Sequence, residues 1–234
     1  MKSLPLLLIV ALLPCCGEKA EGQAREREAA KNVELDLSAA LAEKKLELGS
    51  PIFIRAFKEE DVLELFIESK KTGKFELFRT YPIAAASGKL GPKLAEGDRQ
   101  VPEGFYFVGP KAMNPNSSYH LSFNIGFPNT YDRAHGRTGS FIMIHGSNIS
   151  IGCLAMTDEK IEEIYTLADA AHDGGEAFFR VHIFPFRMTD ARMVKAADHQ
   201  WIAFWKNLKT GYDFFEKSKI PPNVTVKDKK YIFE

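Results

Sequence analysis

This chain lacks most of the features that place a protein in a class at a glance. It has only three cysteines in 234 residues, two of them adjacent at Cys15 and Cys16 and the third at Cys153, which excludes a disulfide-stapled scaffold. It has no excess of charge of either sign, with 31 basic and 31 acidic residues. The basic surface that a nucleic-acid partner requires is therefore missing, and no such partner is expected. Its six histidines stand at 120, 135, 145, 172, 182 and 199 and form no His-x-x-x-His or Cys-x-x-Cys pair, so no metal site is expected. No phosphate-cradling glycine loop leads from a strand into a helix, and no Gly-x-Ser-x-Gly elbow is present. The segment from Gly88 to Lys93 reads as a turn, and no cofactor is expected. There is also no apolar run long enough to span a bilayer.

What is present begins at the N-terminus. Met1-Lys2-Ser3 is a short basic start, residues 4–13 are apolar apart from Pro5, and Pro14-Cys15-Cys16-Gly17 follows. Residues 1–16 read as an export signal: either a cleaved signal peptide, or a lipoprotein signal whose cysteine becomes the acylated first residue and anchors the chain in the membrane. Neither cysteine has the small residue that usually precedes an acylated one. The expected location is the periplasm or cell envelope.

Residues 18–32 are rich in Glu, Lys, Arg, Gln and Ala, and 17–48 is expected to be a polar, solvated tether ending in a short helix. From Ser50 the period changes. Residues 52–58, 62–67 and 75–81 carry the β-branched and aromatic content of a three-stranded meander. Further strands are expected at 104–108, 119–125, 141–144 and 177–186, with a long polar loop over 129–139. The spacing of Ile161, Ile164, Ala168 and Ala171 predicts a helix after Thr157, and Met193 to Leu208 a second one that stops at Gly211. The fold class is α+β and β-rich. A catalytic domain is expected over 49–210, with a C-terminal tail over 211–234 that adds an edge strand.

The chemistry concentrates in one stretch. An apolar strand delivers His145, and Cys153 follows eight positions later behind Gly152. A thiol is a strong nucleophile only as thiolate, so it needs a base within hydrogen-bond reach. The plainer alternative is a buried thiol acting as a small hydrophobe beside a strand-end histidine.

Three stretches in this order resemble the YkuD-type L,D-transpeptidase catalytic domain family, and within it the YafK-like branch. They are Tyr81 to Gly88 with Gly91-Pro92-Lys93, then Gly97-Asp98-Arg99-Gln100-Val101-Pro102-Glu103-Gly104-Phe105-Tyr106, then His145-Gly146 with Ser150-Ile151-Gly152-Cys153. The resemblance covers about 50–208 and implies a β-rich fold of mixed sheets with flanking helices. It implies that Cys153 attacks a carbonyl of a peptidoglycan stem peptide and forms a thioester, with His145 as base. The Gly146 carbonyl would orient the imidazole, and the N–H groups of Gly152 and Cys153 would hold the oxyanion. Many members carry a histidine and an Arg or Asn where this chain has Ile151 and Ala155. Branch members include hydrolases that release a diaminopimelate-linked lipoprotein, so such a lipoprotein is an alternative partner to the stem peptide. A non-catalytic wall-binding lipoprotein is the reading outside enzymes. An NlpC-type peptidase is disfavoured because there the cysteine precedes its histidine. Tyr119, His120, Arg133 and Arg137, from the segments before the His145 strand, are candidate substrate contacts.

Overall fold

A computed structural model describes residues 15–234, with side chains from residue 20 onward. Apart from the backbone of its last two residues, the export signal expected at 1–16 lies outside the described residues. The first element, α1 (Cys15–Lys44), replaces the expected solvated tether. Gly22, Ala29, Leu37 and Leu41 are buried along one side of it. Ala29 and Leu37, at 1% and 3% exposure, join the same apolar cluster as Ile161 and Tyr165. Over residues 18–32 the buried positions are Gly22 and Ala29, which offer no stripe of large apolar residues to read in advance.

The meander follows as β1 (Ile52–Phe57), β2 (Val62–Ser69) and β3 (Lys74–Pro82), antiparallel throughout. Next come β4 (Gly104–Val108), β5 (Met113–Asn114) and β6 (Ser122–Asn124). The loop expected over 129–139 contains a short helix, α2 (Thr130–Ala134), started by Asn129 in a reciprocal cap with Asp132. Then come β7 (Met143–His145), β8 (Leu154–Ala155), α3 (Asp158–Asp173) and β9 (Phe179–Phe184). The expected second helix is two, α4 (Asp190–Lys195) and α5 (Ile202–Ser218), and the chain ends in the hairpin β10 (Val224–Lys227) and β11 (Lys230–Phe233).

The central sheet has the order β3-β2-β1-β9-β4, and a smaller sheet has the order β5-β6-β7-β8. β1 pairs antiparallel with β2 and parallel with β9, and every one of its residues is buried, as befits a strand covered on both faces. α3 packs between α1 and the strands; its Ile161, Ile164, Leu167, Ala168 and Ala171 are all buried.

Gly211 does not stop a helix. It lies inside α5, where an added Cβ would collide with the Phe233 ring and sit 2.6 Å from Phe105 Cζ. It is a packing glycine that lets the hairpin close onto the core. The expected tail is therefore half helix and half hairpin, anchored by Tyr231 at 2% exposure.

If α1 is part of the folded body, Leu37→Ala lowers the unfolding free energy by about 2–5 kcal/mol in urea titration. Leu35→Ala, at a position 84% exposed, changes it by less than about 0.5 kcal/mol.

Candidate active site

β7 and β8 run parallel, with His145 opposite Ala155 and Ile144 opposite Leu154. One step back in that register Cys153 stands beside Met143, whose N–H donates to the thiol sulfur at 3.4 Å. Cys153 immediately precedes β8, and its thiol lies against the backbone of the strand that carries His145 two residues further on.

A parallel pair ordinarily needs a crossover of a dozen or more residues, yet residues 146–153 alone join these two strands. The turn is held by several bonds at once. Asp158 Oδ1 accepts the Ser147 N–H at 2.7 Å, and the Met156 and Thr157 amides donate to the His145 and Ser147 carbonyls at 2.8 Å each. Ser150 Oγ accepts the Cys153 N–H at 2.9 Å and donates to the Cys153 carbonyl at 2.7 Å. Gly152 sits at φ +98, a left-handed conformation that favours glycine. At Gly146 a Cβ would lie 2.6 Å from Asp158 Oδ1 and 2.7 Å from the Tyr119 carbonyl, so only glycine fits between them.

His145 is 3% exposed, and its Nδ1 lies 2.6 Å from the Gly146 carbonyl oxygen. A carbonyl only accepts, so Nδ1 carries the proton and Nε2 is left as the basic nitrogen. Burial lowers the affinity of this ring for a second proton, against the opposing pull of the Gly146 bond. Burial likewise pushes the Cys153 thiol up, opposed by the Met143 N–H and by the Lys93 ammonium. The thiol's second contact is the Phe141 carbonyl, at 3.7 Å. Its hydrogen bonds thus run to the backbone that enters β7 and not to the imidazole. Burial favours the neutral form of each group.

The Gly97-Asp98 stretch supports this arrangement from outside. Asp98 accepts the Leu94, Ala95 and Gln100 amides at 2.8, 3.0 and 3.0 Å and the Lys93 ammonium at 2.6 Å. The loop so fixed presents the Arg99 carbonyl to Ser87 Oγ at 2.7 Å, and that oxygen accepts the Gly152 N–H at 2.7 Å. Glu103, fully buried, accepts from Gly91 N–H and Trp205 Nε1 at 2.6 and 2.8 Å and pairs with Lys58 at 3.1 Å. The motif residues therefore build the wall of the site. Both amides expected to hold an oxyanion, those of Gly152 and Cys153, are engaged by serine hydroxyls.

Of the four expected substrate contacts, the structure brings one to the pair. The Tyr119 ring lies 4.8 Å from the His145 ring, centroid to centroid, and remains 45% exposed. His120, at φ +66, is turned onto α3, where its Nε2 meets Glu162 at 2.8 Å. Arg137 is 7% exposed, ion-paired to Asp132 at 2.7 Å and stacked on Tyr131 and Phe204. Arg133 bonds to the Pro128 carbonyl and lines a different cavity. Loop composition suggested these three, but helix α2 and its cap draw the arginines into local structure. Ala155 is fully buried, while Ile151, 74% exposed, forms an apolar rim.

Sequence reasoning missed Arg25. Its Nη1 donates to the carbonyls of Pro115, Ser117 and His120 at 3.0, 3.0 and 2.8 Å, so α1 holds the segment that carries Tyr119. Its partners are backbone atoms about ninety residues away, and no local pattern announces them. Lys93, Ser87 and Ser150 stand in the stretches that resemble the family, but no role was assigned to them in advance: Ser87 meets Gly152 from 65 residues away, and Ser150 and Lys93 bond to near neighbours.

Two measurements follow from this geometry. Alkylation of Cys153 by iodoacetamide in the free protein is expected to rise in one step centred above the ordinary thiol value of about 8.5; a plateau already reached at pH 6–7 would mean a resting ion pair. Arg25→Ala is expected to slow acylation of Cys153 about tenfold while the alkylation profile of the resting thiol stays in place, and equal acylation rates would remove Arg25 from site positioning.

Comparison with known proteins places this geometry in a family. The family model described as "L,D-transpeptidase catalytic domain" (YkuD) matches residues 54–183. The Escherichia coli K12 protein named "Putative L,D-transpeptidase YafK" is 40% identical over 232 residues, covering 99% of this chain and 90% of that one. Among solved structures, the helical cell shape determining protein Pgp2 of Campylobacter jejuni aligns with a TM-score of 0.47 and 20% identity, over 76% of this chain and 73% of Pgp2. Bd1075 of Bdellovibrio bacteriovorus aligns with a TM-score of 0.42 and 19% identity, over 79% and 85%. This chain belongs to the YkuD-type L,D-transpeptidase catalytic domain family.

Proposed function

We propose that this protein is an exported, cysteine-dependent acyl-transfer enzyme acting on peptidoglycan stem peptides. The observation that carries the reading is the 2.6 Å bond from His145 Nδ1–H to the Gly146 carbonyl. It leaves Nε2 as the basic nitrogen, on the strand whose Met143 amide donates to the Cys153 thiol. The lowered proton affinity of His145 favours a free Nε2, which suits it to receive the thiol proton during attack.

In the proposed reaction the Cys153 side chain rotates from the Phe141 carbonyl toward Nε2. Nε2 takes the thiol proton as sulfur bonds to the carbonyl carbon of the stem peptide. The tetrahedral oxyanion takes over the Gly152 and Cys153 amides from the Ser87 and Ser150 oxygens, which occupy the acceptor positions in the resting site. Collapse breaks the C–N bond, the imidazolium returns its proton to the leaving amine, and a thioester remains on Cys153. An incoming amine or water, deprotonated by Nε2, then releases the acyl group. Tyr119, stacked on His145, shields the ring and offers one wall to the substrate.

A second reading is hydrolysis, including release of a lipoprotein joined through diaminopimelate. It is favoured by Ile151 and Ala155, which offer no polar group to hold an acceptor amine. Residues 1–16 support export, and either of the two N-terminal cysteines supplies a lipid anchor in that reading.

Intact-mass measurement after incubation with a disaccharide tetrapeptide tests the assignment. A thioester adduct is expected on the native chain and none on Cys153→Ala, with His145→Ala slowed by at least about a hundredfold. An adduct that persists in Cys153→Ala sinks the proposal. Adding a diaminopimelate-containing acceptor in ¹⁸O-water separates transfer from hydrolysis: label in the released acid marks water as the acceptor.

A further inference from the structure

A second cavity, about 520 Å³ in volume, lies between the β4 edge of the central sheet and the C-terminal hairpin. Its lining includes neither Cys153 nor His145, nor any residue that contacts the thiol. Phe105 and His182, partners in the β4–β9 register, form one wall, and Val224 and Val226 of β10 another. The volume is within the range of small-molecule sites, roughly 300–1,000 Å³.

Two guanidinium groups, Arg133 and Arg180, reach this cavity. Arg180 donates to Asn223 Oδ1 at 2.7 Å, and Arg133 donates to the Pro128 carbonyl and the Thr130 hydroxyl. Among the described residues neither has a carboxylate within ion-pair distance, whereas Arg55, Arg79, Arg137, Arg187 and Arg192 each do. The acid that acts on Arg180 is Glu176, which is bound to the Ile52 N–H at 3.1 Å. Burial raises the Glu176 carboxyl to about 7, so it neutralises Arg180 only in part. His182, at 1% exposure, has an Nδ1 with no hydrogen-bond partner. Beyond the arginines the surface turns apolar: Phe107 and Phe178, 63% and 42% exposed, meet edge to face at 5.5 Å between ring centroids.

Two arginines with no ion-paired carboxylate among the described residues, beside an aromatic and aliphatic wall, define a ligand by charge and by shape. A carboxylate meets a guanidinium in bidentate fashion, and an apolar body attached to it fills the space against Phe105 and Val224. We propose that this cavity is a second binding site, separate from the thiol, for a carboxylate carried on an apolar or aromatic body. Its source is either a small free acid or the C-terminus of a polypeptide, since both present the same group.

Calorimetric titration of the full chain with N-acetyl-phenylalanine and with N-acetyl-phenylalaninamide tests this. The acid is expected to bind at least tenfold more tightly than the amide. Arg180→Gln is expected to weaken acid binding at least tenfold and Arg133→Gln three- to tenfold. Arg133 is exposed, so its variant stays informative if Arg180→Gln does not fold. Alkylation of Cys153 is expected to proceed at the same rate with the acid bound. Equal binding of acid and amide, unchanged affinity in Arg133→Gln, or protection of Cys153 by the acid each overturns the proposal. A pentapeptide ending in phenylalanine identifies the source. Binding tighter than that of the free acid assigns a polypeptide terminus and equal binding assigns a small acid, and both uphold the site.

Discussion

The shortness of the link between β7 and β8 is the constraint on which the rest of the site depends. Parallel strands joined through so few residues leave the connecting backbone almost no freedom. It closes here only because Asp158, Ser150 and the amides after β8 satisfy its polar groups internally. Ordering a loop costs roughly 1–2 kcal/mol per residue in backbone entropy, and these bonds, with the glycines at 146 and 152, offset that cost before any substrate arrives. The same closure brings the Cys153 thiol against the strand that carries His145 and points a carbonyl back at the imidazole.

A site made this way is rigid but electrically quiet. The imidazole and thiol are both drawn out of water, so burial disfavours charge on each of them. The neutral form of each is thereby favoured until a proton moves between them. That differs from a preformed thiolate held by imidazolium, whose nucleophile is always exposed to oxidants and alkylating agents. Lys93 tempers the effect from beyond the first contacts, itself held by Asp98 in the Gly-Asp stretch.

Support for the site comes from far along the chain. The helix at the N-terminus reaches across to the backbone that carries Tyr119, through one guanidinium and three carbonyls. Glu26 meets Tyr165 and Asn32 meets Glu162, so α1 is stitched to α3, and Glu162 in turn holds His120. Glu103, Lys58 and Trp205 form a buried polar knot that ties β4 to α5 and to the loop beside the site. Breaking such a group costs more than the bond is worth on its own, because the abandoned partner stays buried.

The residues that carry their meaning locally were legible in advance. β-branched and aromatic content identified β1, β2 and β3, helical spacing identified α3, and the order His145, Gly152, Cys153 marked the candidate site. Where an assignment depended on what packs against it, local pattern misled. Gly211 reads as a helix stop, yet it is the place where two phenylalanine rings need room inside a helix. Residues 18–32 read as solvated because their contact face is Gly22 and Ala29, small residues whose value lies in close approach rather than in apolar area. Arg137 reads as a loop cation, but α2 turns it onto Asp132. The sequence by itself determined the chemistry available, one thiol and one imidazole near a glycine-rich turn, since those depend on residue type and spacing. Only the tertiary structure decided which groups surround them, because ion pairs, ring stacks and carbonyl clamps join residues that are remote along the chain and meet only when the sheets close.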